Sequence, residues 1–280
     1  MGIKIGAHVS AAGGLVKALE RAKNIGADTI QIFGASPVQW KAPLPSSEEA
    51  KGFQSLAKKL EIGPVFLHAP YLINLASPKK NLAKISCELL KSHLEISNAL
   101  GAEGVIFHIG SRGEGNEKEA EKMVIHGLKD ILKNILSGKL LIENSAGAGN
   151  LVGDSLEEVG NIVRGVDNRR LGFCYDTAHG FESGVLVDFS KPSLDKFTGE
   201  LEKLIGLEKW WAIHANDSKT LQKSNKDRHE NIGEGYIGQE AFSNMLRHPE
   251  FKTRPFILEV PGFDDNGPDK KNIDILRNLI

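Results

Sequence analysis

Eight short apolar runs recur along the chain at nearly even spacing: Ile3 to Ala7, Thr29 to Phe33, Pro64 to Leu67, Gly104 to Phe107, Lys139 to Ile142, Leu171 to Tyr175, Trp211 to Ile213 and Phe256 to Leu258. β-branched and aromatic residues dominate them, as in strands buried on both faces. Between them lie longer segments with apolar residues three or four apart, such as Leu82, Ile85, Leu89, His93, Ile96 and Leu100, the spacing of a helix with one buried face. Helix starts are signalled by Ser77-Pro78 before the third helix and by Asp154 with Glu157 and Glu158 at the fifth. Parallel strands need helical crossovers, so eight such units in 280 residues predict an α/β chain folded as a (β/α)8 TIM barrel. An open doubly wound sheet is the alternative. No Gly/Ser/Pro linker or low-complexity run divides the chain, which reads as one domain over residues 1–280.

In such a barrel the active site sits where the strands end, and here the ends carry chemistry. Six successive strands finish in a residue able to bind metal: His68, His108, Glu143, Asp176, His214 and Glu259. The intervals of 40, 35, 33, 38 and 45 residues each fit one βα unit, so closure of the barrel would bring all six onto one ring. Two local pairs extend the set, Asp176 with His179 after the sixth strand and Asp227 with His229 in the long loop after the seventh. In an extended loop, residues two apart point to the same side, which lets Asp227 and His229 grip one cation.

Five histidines and four carboxylates exceed the three or four protein ligands of one catalytic zinc, so nine imply three metals. Only two cysteines, Cys87 and Cys174, are present and neither joins the set, which favours hydrolytic chemistry over a closed structural site. The chain carries a formal net charge of −1, so attraction for a polyanion has to be local. Four carboxylates alone would repel a phosphodiester, whereas three Zn²⁺ would leave a pocket of about +2. The opening MGIKIGAHVS lacks the basic and apolar regions of a secretion signal, and no apolar run approaches the roughly 20 residues of a membrane span. These features, with the sparse cysteines, point to a cytoplasmic protein without membrane contact.

The motifs GAHVSAAGG, HAPYLINL, FHIGS, IENSAGAG, CYDTAHGF, HANDSK, DRHENIGEGYIG and LEVPG stand in one order over essentially the whole chain. In this the sequence resembles endonuclease IV, the bacterial and archaeal family that cuts DNA at abasic sites. The resemblance implies a TIM barrel with three zinc ions, some of them replaceable by manganese or iron. It places His68, His108 and Glu143 on the first ion, with Glu143 bridging to a second completed by Asp176, His214 and Glu259, and His179, Asp227 and His229 on the third. It also implies hydrolysis 5′ to an abasic nucleotide in double-stranded DNA, with Glu143 and Glu259 as catalytic carboxylates and Glu259 orienting the attacking water. The expected partner is damaged duplex DNA and the expected state a monomer.

By motif position, Tyr71 and Leu72 are the candidates for a wedge into the DNA stack, with Gln39 and Trp40 on the neighbouring loop. Where some relatives carry Arg before the Gln-Trp pair, this chain has Val38, which removes a cationic contact with the groove. His8, Arg112 and Glu234 are open between supporting roles and ordinary packing, and Lys79 and Lys80 read as solvated. The rival enzyme is a metal-dependent sugar isomerase or epimerase using Glu143, Asp176, His214 and Glu259. That reading leaves His68, His108, His179, Asp227 and His229 without a task.

Overall fold

The structure, a computed structural model, describes residues 2–280. Its elements run β1 (Ile5–His8), α1 (Leu15–Ile25), β2 (Thr29–Phe33), α2 (Ser47–Leu60), β3 (Val65–His68), α3 (Lys80–Leu100), β4 (Gly104–Phe107), α4 (Glu117–Asn134), β5 (Leu140–Glu143), α5 (Leu156–Val166) and β6 (Leu171–Asp176). There follow α6 (Thr177–Ser183), α7 (Lys191–Leu204), β7 (Trp210–His214), the two-residue strands β8 (Asp217–Ser218) and β9 (His229–Glu230), α8 (Gly238–Arg247), β10 (Phe256–Leu258) and α9 (Lys270–Asn278). The eight longer strands close a parallel barrel in the order β1-β10-β7-β6-β5-β4-β3-β2. Pairing of β1 with β10 is the closure, so the open-sheet alternative is excluded. Among the described residues no helix is long and apolar enough to cross a membrane.

The strand ends differ from the sequence reading by one or two residues, in a consistent direction. β1, β3, β5, β6 and β7 run further than expected, so His8, His68, Glu143, Asp176 and His214 are the last paired residues of their strands. Two helix starts also differ. The cap of α5 is Ser155, whose side chain accepts from the Glu158 amide, and not Asp154. α3 is entered at Lys79 without a side-chain cap, while the Ser77 hydroxyl accepts from the Lys79 amide one step earlier. Ile85, expected on the buried face of α3, is half exposed in a groove beside Trp40.

Between helices and barrel lies the large core, and inside the barrel lies a separate small one: Phe66, Ile106, Leu141, Cys174, Ala212 and Ile257. Each of these six stands two residues before one of the six expected ligands. Side chains on a strand alternate with period two, so the residue that follows two later points the same way, one layer nearer the C-terminal mouth. The apolar plug and the polar ring above it are therefore one pattern. At the opposite end Trp211 is the extra residue of a bulge, since Phe173 pairs with Trp210 and Cys174 with Ala212. Trp211 packs against the small cluster. A Cβ on Gly172 would lie 2.5 Å from its ring, so only glycine admits the indole there.

His93 on α3 is buried, and among the described residues neither ring nitrogen has a hydrogen-bond partner. Burial, with the like charge of His68, lowers its pKa from 6.5 to about 4. The unfolded chain therefore binds more protons between those values, so the stability is fully present above pH 6.5 and is lost as pH falls towards 4. Between pH 7 and 5 the expected loss is about 2 kcal/mol. His93→Leu removes that part, and urea unfolding of metal-free protein at the two pH values measures it. Equal losses in wild type and variant would refute the assignment.

Candidate metal centre

At the C-terminal mouth the strands deliver their ligands into three overlapping groups: His68 with His108 and Glu143; Glu143 with Asp176, His214 and Glu259; and Asp176 with His179 and His229. Within each group the donor atoms lie within 4.8 Å of one another, the spacing of residues that could share one metal ion. Glu143 spans the first two, with Oε2 3.0 Å from His68 Nε2 and 3.4 Å from His108 Nε2, and Oε1 2.9 Å from His214 Nδ1. Glu259 Oε2 is 3.2 Å from the same His214 nitrogen. Asp176 stands between the second and third groups, since its Oδ2 is 3.8 Å from both His214 Nδ1 and His229 Nε2. Asp227 is the most exposed of the nine, yet its Oδ1 is 3.3 Å from His179 Nε2 and 3.7 Å from His229 Nε2. All nine residues expected at the site are thus brought together.

The hydrogen bonds around the ring decide which nitrogens face inward. His68 Nδ1 donates to the Ala69 carbonyl at 2.6 Å, His179 Nδ1 to the Asn144 carbonyl at 3.0 Å and His229 Nδ1 to the Glu259 carbonyl at 3.2 Å. A carbonyl oxygen only accepts, so each of those nitrogens carries the proton and the Nε2 lone pair is left pointing into the site. His179 Nε2 and His229 Nε2 then face each other at 3.3 Å, and with both rings neutral they would be two lone pairs that cannot bond to one another, so a proton or a metal ion has to lie between them. A cation between them satisfies both, and the donor set of imidazoles and carboxylates suits a divalent ion of the zinc type.

The electrostatics ask for the same thing. Burial disfavours charge on His179 and His214, yet Asp176 around the first and Cys174, Glu143 and Glu259 around the second hold both imidazoles well above the usual value. Burial would push the Glu143 carboxyl up, and His108, His214 and His179 instead hold it well below the usual carboxylate range. Asp227 and Glu259 are held low in the same way, the former by His179 and His229 and the latter by His214 and His8. The pocket is built for positive charge at its centre.

Several residues that the strand-end pattern did not reveal hold this ring in place. Asn144 Oδ1 accepts from the Asp176 amide at 2.7 Å, and Asn216 Nδ2 donates to Asp176 Oδ2 at 2.7 Å. Gln31, in the middle of β2, donates to Glu259 and accepts from His214. A glutamine at an inward position of an otherwise apolar barrel strand was a signal in the sequence, because a buried amide needs partners. Glu182 on α6 takes the Ser218 and Thr220 hydroxyls and the Arg228 amide, so it pins the loop bearing Asp227 and His229 to the helix bearing His179. Asp217 gathers the amides of Gly233, Gly235, Ile237 and Gly238, which orders the loop that follows.

Of the open positions, His8 joins the site, with Nδ1 3.1 Å from Glu259 Oε1. Arg112 folds back to donate to the Gly115 carbonyl, while Glu234, Lys79 and Lys80 are exposed. Around the mouth Tyr71, Val38, Gln39 and Trp40 are exposed and Leu72 is half-buried. Tyr71 and Leu72 occupy the centre of a turn closed by the Ile73 amide on the Pro70 carbonyl.

Residues 19–279 match the family described as xylose isomerase-like TIM barrel. The chain is 36% identical over 277 residues to a Halothermothrix orenii protein named "Probable endonuclease 4", covering 98% of this chain and 99% of that one. It is 40% identical over 283 residues to the Petrotoga mobilis protein of the same name, covering 99% and 97%. The crystal structure of endonuclease IV from Thermus thermophilus superposes with a TM-score of 0.85 at 32% identity, covering 99% of this chain and 98% of that one. With barrel, ligand ring and full-length similarity in agreement, the chain belongs to the endonuclease IV family of TIM-barrel enzymes.

Proposed function

We propose that this protein hydrolyses the phosphodiester bond 5′ to abasic nucleotides in double-stranded DNA, leaving a 3′-hydroxyl and a 5′-deoxyribose phosphate, with three zinc ions held at the mouth of the barrel. The observation that carries the reading is the inward convergence of imidazole lone pairs and carboxylate oxygens in three overlapping groups. His68, His108 and Glu143 would hold the first ion; Glu143, Asp176, His214 and Glu259 the second; His179, His229 and Asp227 the third, with Asp176 at its edge. Zinc, when bound, supplies Lewis acidity that brings the pKa of water towards neutrality and offsets negative charge on phosphate. Glu259 accepts a hydrogen bond from the attacking water and orients its oxygen for in-line approach to phosphorus. No side chain acts as the nucleophile. Asn144 and Asn216 hold Asp176 in place, so the ring needs little reorganisation when substrate arrives.

The substrate reading rests on the family and on the exposed side chains around the mouth. Tyr71 and the half-buried Leu72 on the loop after β3, with Gln39 and Trp40 on the loop after β2, are the residues we assign to contact with DNA seated on the ring. A sugar isomerase employs Glu143, Asp176, His214 and Glu259 and leaves the remaining five ligands idle. The test is elemental analysis beside cleavage of a duplex with one abasic site. About three zinc ions per chain and a single nick with a 3′-hydroxyl are expected, with activity that outlasts brief EDTA treatment because ions held by several protein ligands exchange slowly. An active preparation with one ion or none, or a zinc-loaded protein that leaves the duplex intact, overturns the proposal.

A further inference from the structure

We propose that Gln31 is the positioning residue of the second metal group, fixing the tautomer of His214 and the aim of Glu259; the inference rests on the reading that this group holds zinc for phosphodiester hydrolysis. Gln31 is fully buried at the centre of β2, with its side chain turned into the barrel mouth. Its Nε2 lies 2.6 Å from Glu259 Oε1 and 2.9 Å from His8 Nδ1, and its Oε1 lies 2.8 Å from His214 Nε2. One small amide thus touches three residues of the site, from β1, β7 and the segment just after β10.

Only one orientation of that amide is chemically consistent. Turned over, it would set its oxygen against the Glu259 carboxylate and lose the hydrogen bond that anchors it. In the orientation present, the oxygen accepts and His214 Nε2 must carry the proton. Nδ1, which faces Glu143 Oε1 at 2.9 Å and Glu259 Oε2 at 3.2 Å, is therefore the nitrogen whose proton a metal ion would displace. One amide hydrogen serves Glu259 Oε1, and His8 Nδ1, 3.1 Å from that same oxygen, stands 2.9 Å from the amide nitrogen. One Glu259 oxygen is thereby anchored, and the other stays beside His214. Without Gln31, nothing else among the described hydrogen bonds holds His214 Nε2, and the ring is free to present the wrong nitrogen. Partners that orient a metal-bound imidazole typically change metal affinity or activity by about 10–100-fold when removed.

The test compares wild type with Gln31→Met, which keeps the length of the side chain and removes donor and acceptor, and with Gln31→Glu, which keeps the acceptor for His214 and removes the donor to Glu259. Zinc affinity is read by titration against a competing chelator, with elemental analysis and the melting temperature of metal-free protein alongside. In Gln31→Met one ion of the three is expected to bind at least about tenfold more weakly while the others are unchanged, with kcat reduced by about the same factor and KM for the abasic duplex within about twofold. Gln31→Glu is expected to retain zinc better than Gln31→Met while kcat still falls. Wild-type zinc affinity and kcat in both variants, or weakening spread evenly over all three ions, would reduce Gln31 to a packed core amide. A wild-type protein that binds no zinc or makes no nick defeats the functional reading itself, whereas a competent wild type with unaltered variants defeats only the role of Gln31.

Discussion

Glu259→Gln is expected to lower kcat on an abasic duplex by about a thousandfold, roughly 4 kcal/mol of transition-state stabilisation, while DNA binding largely persists. The substitution preserves size and removes the charge. In the native site one Glu259 oxygen accepts from Gln31 at 2.6 Å and the other lies 3.2 Å from His214 Nδ1. An amide cannot accept at both ends. Its N–H₂ would face either the Gln31 donor or His214 Nδ1, and in the second case it puts a neutral donor where a charged carboxylate oxygen should complete the ring. The loss is therefore concentrated where charge develops during the reaction, and contacts to phosphate elsewhere on the mouth survive. Single-turnover cleavage, a binding titration at fixed salt and zinc analysis on the same preparation separate the parts. Turnover near wild type with full metal content would remove Glu259 from the role assigned to it.

The second large effect concerns recognition. Tyr71→Ala/Leu72→Ala is expected to abolish most of the preference for abasic over intact duplex, on the order of a hundredfold, with zinc content unchanged. The turn from Pro70 to Ile73 follows directly on His68, so its tip is carried by a strand that also bears a ligand. Ile73 is buried and anchors the turn, while Tyr71 is 68% exposed at its tip, an aromatic surface left uncovered among the described residues. Side chains that enter a base step cost a few kcal/mol of unstacking, and an abasic site has less stacking to lose, so a wedge discriminates by the difference. Val38 is also exposed on the neighbouring loop and offers no charge to the groove, which leaves more of the discrimination to the turn. Abasic-duplex affinity and cleavage within about twofold of wild type would make the two residues rim packing.

The barrel and the residues that converge at its mouth were legible in the sequence because both rest on local repeats. A strand's period of two and a helix's period of 3.6 are written in consecutive residues, and a βα unit has a characteristic length. The pairing of each ligand with the apolar residue two before it, such as Phe66 with His68 or Ile257 with Glu259, follows from that same alternation. What tertiary structure alone decided lies between strands. Asp176 stands between two of the candidate ligand groups because β6 and β7 are in a particular register after the Trp211 bulge. Asp227 and His229 reach His179 because β8 and β9 form a hairpin pinned to α6 by Glu182. Gln31 meets His214 because closing the barrel brings β2 across from β7, residues far apart in the chain whose contact no local period encodes. A side chain's type and direction are set by its own few neighbours in sequence, but its partner is set by closure, register and bulges, which depend on every strand at once.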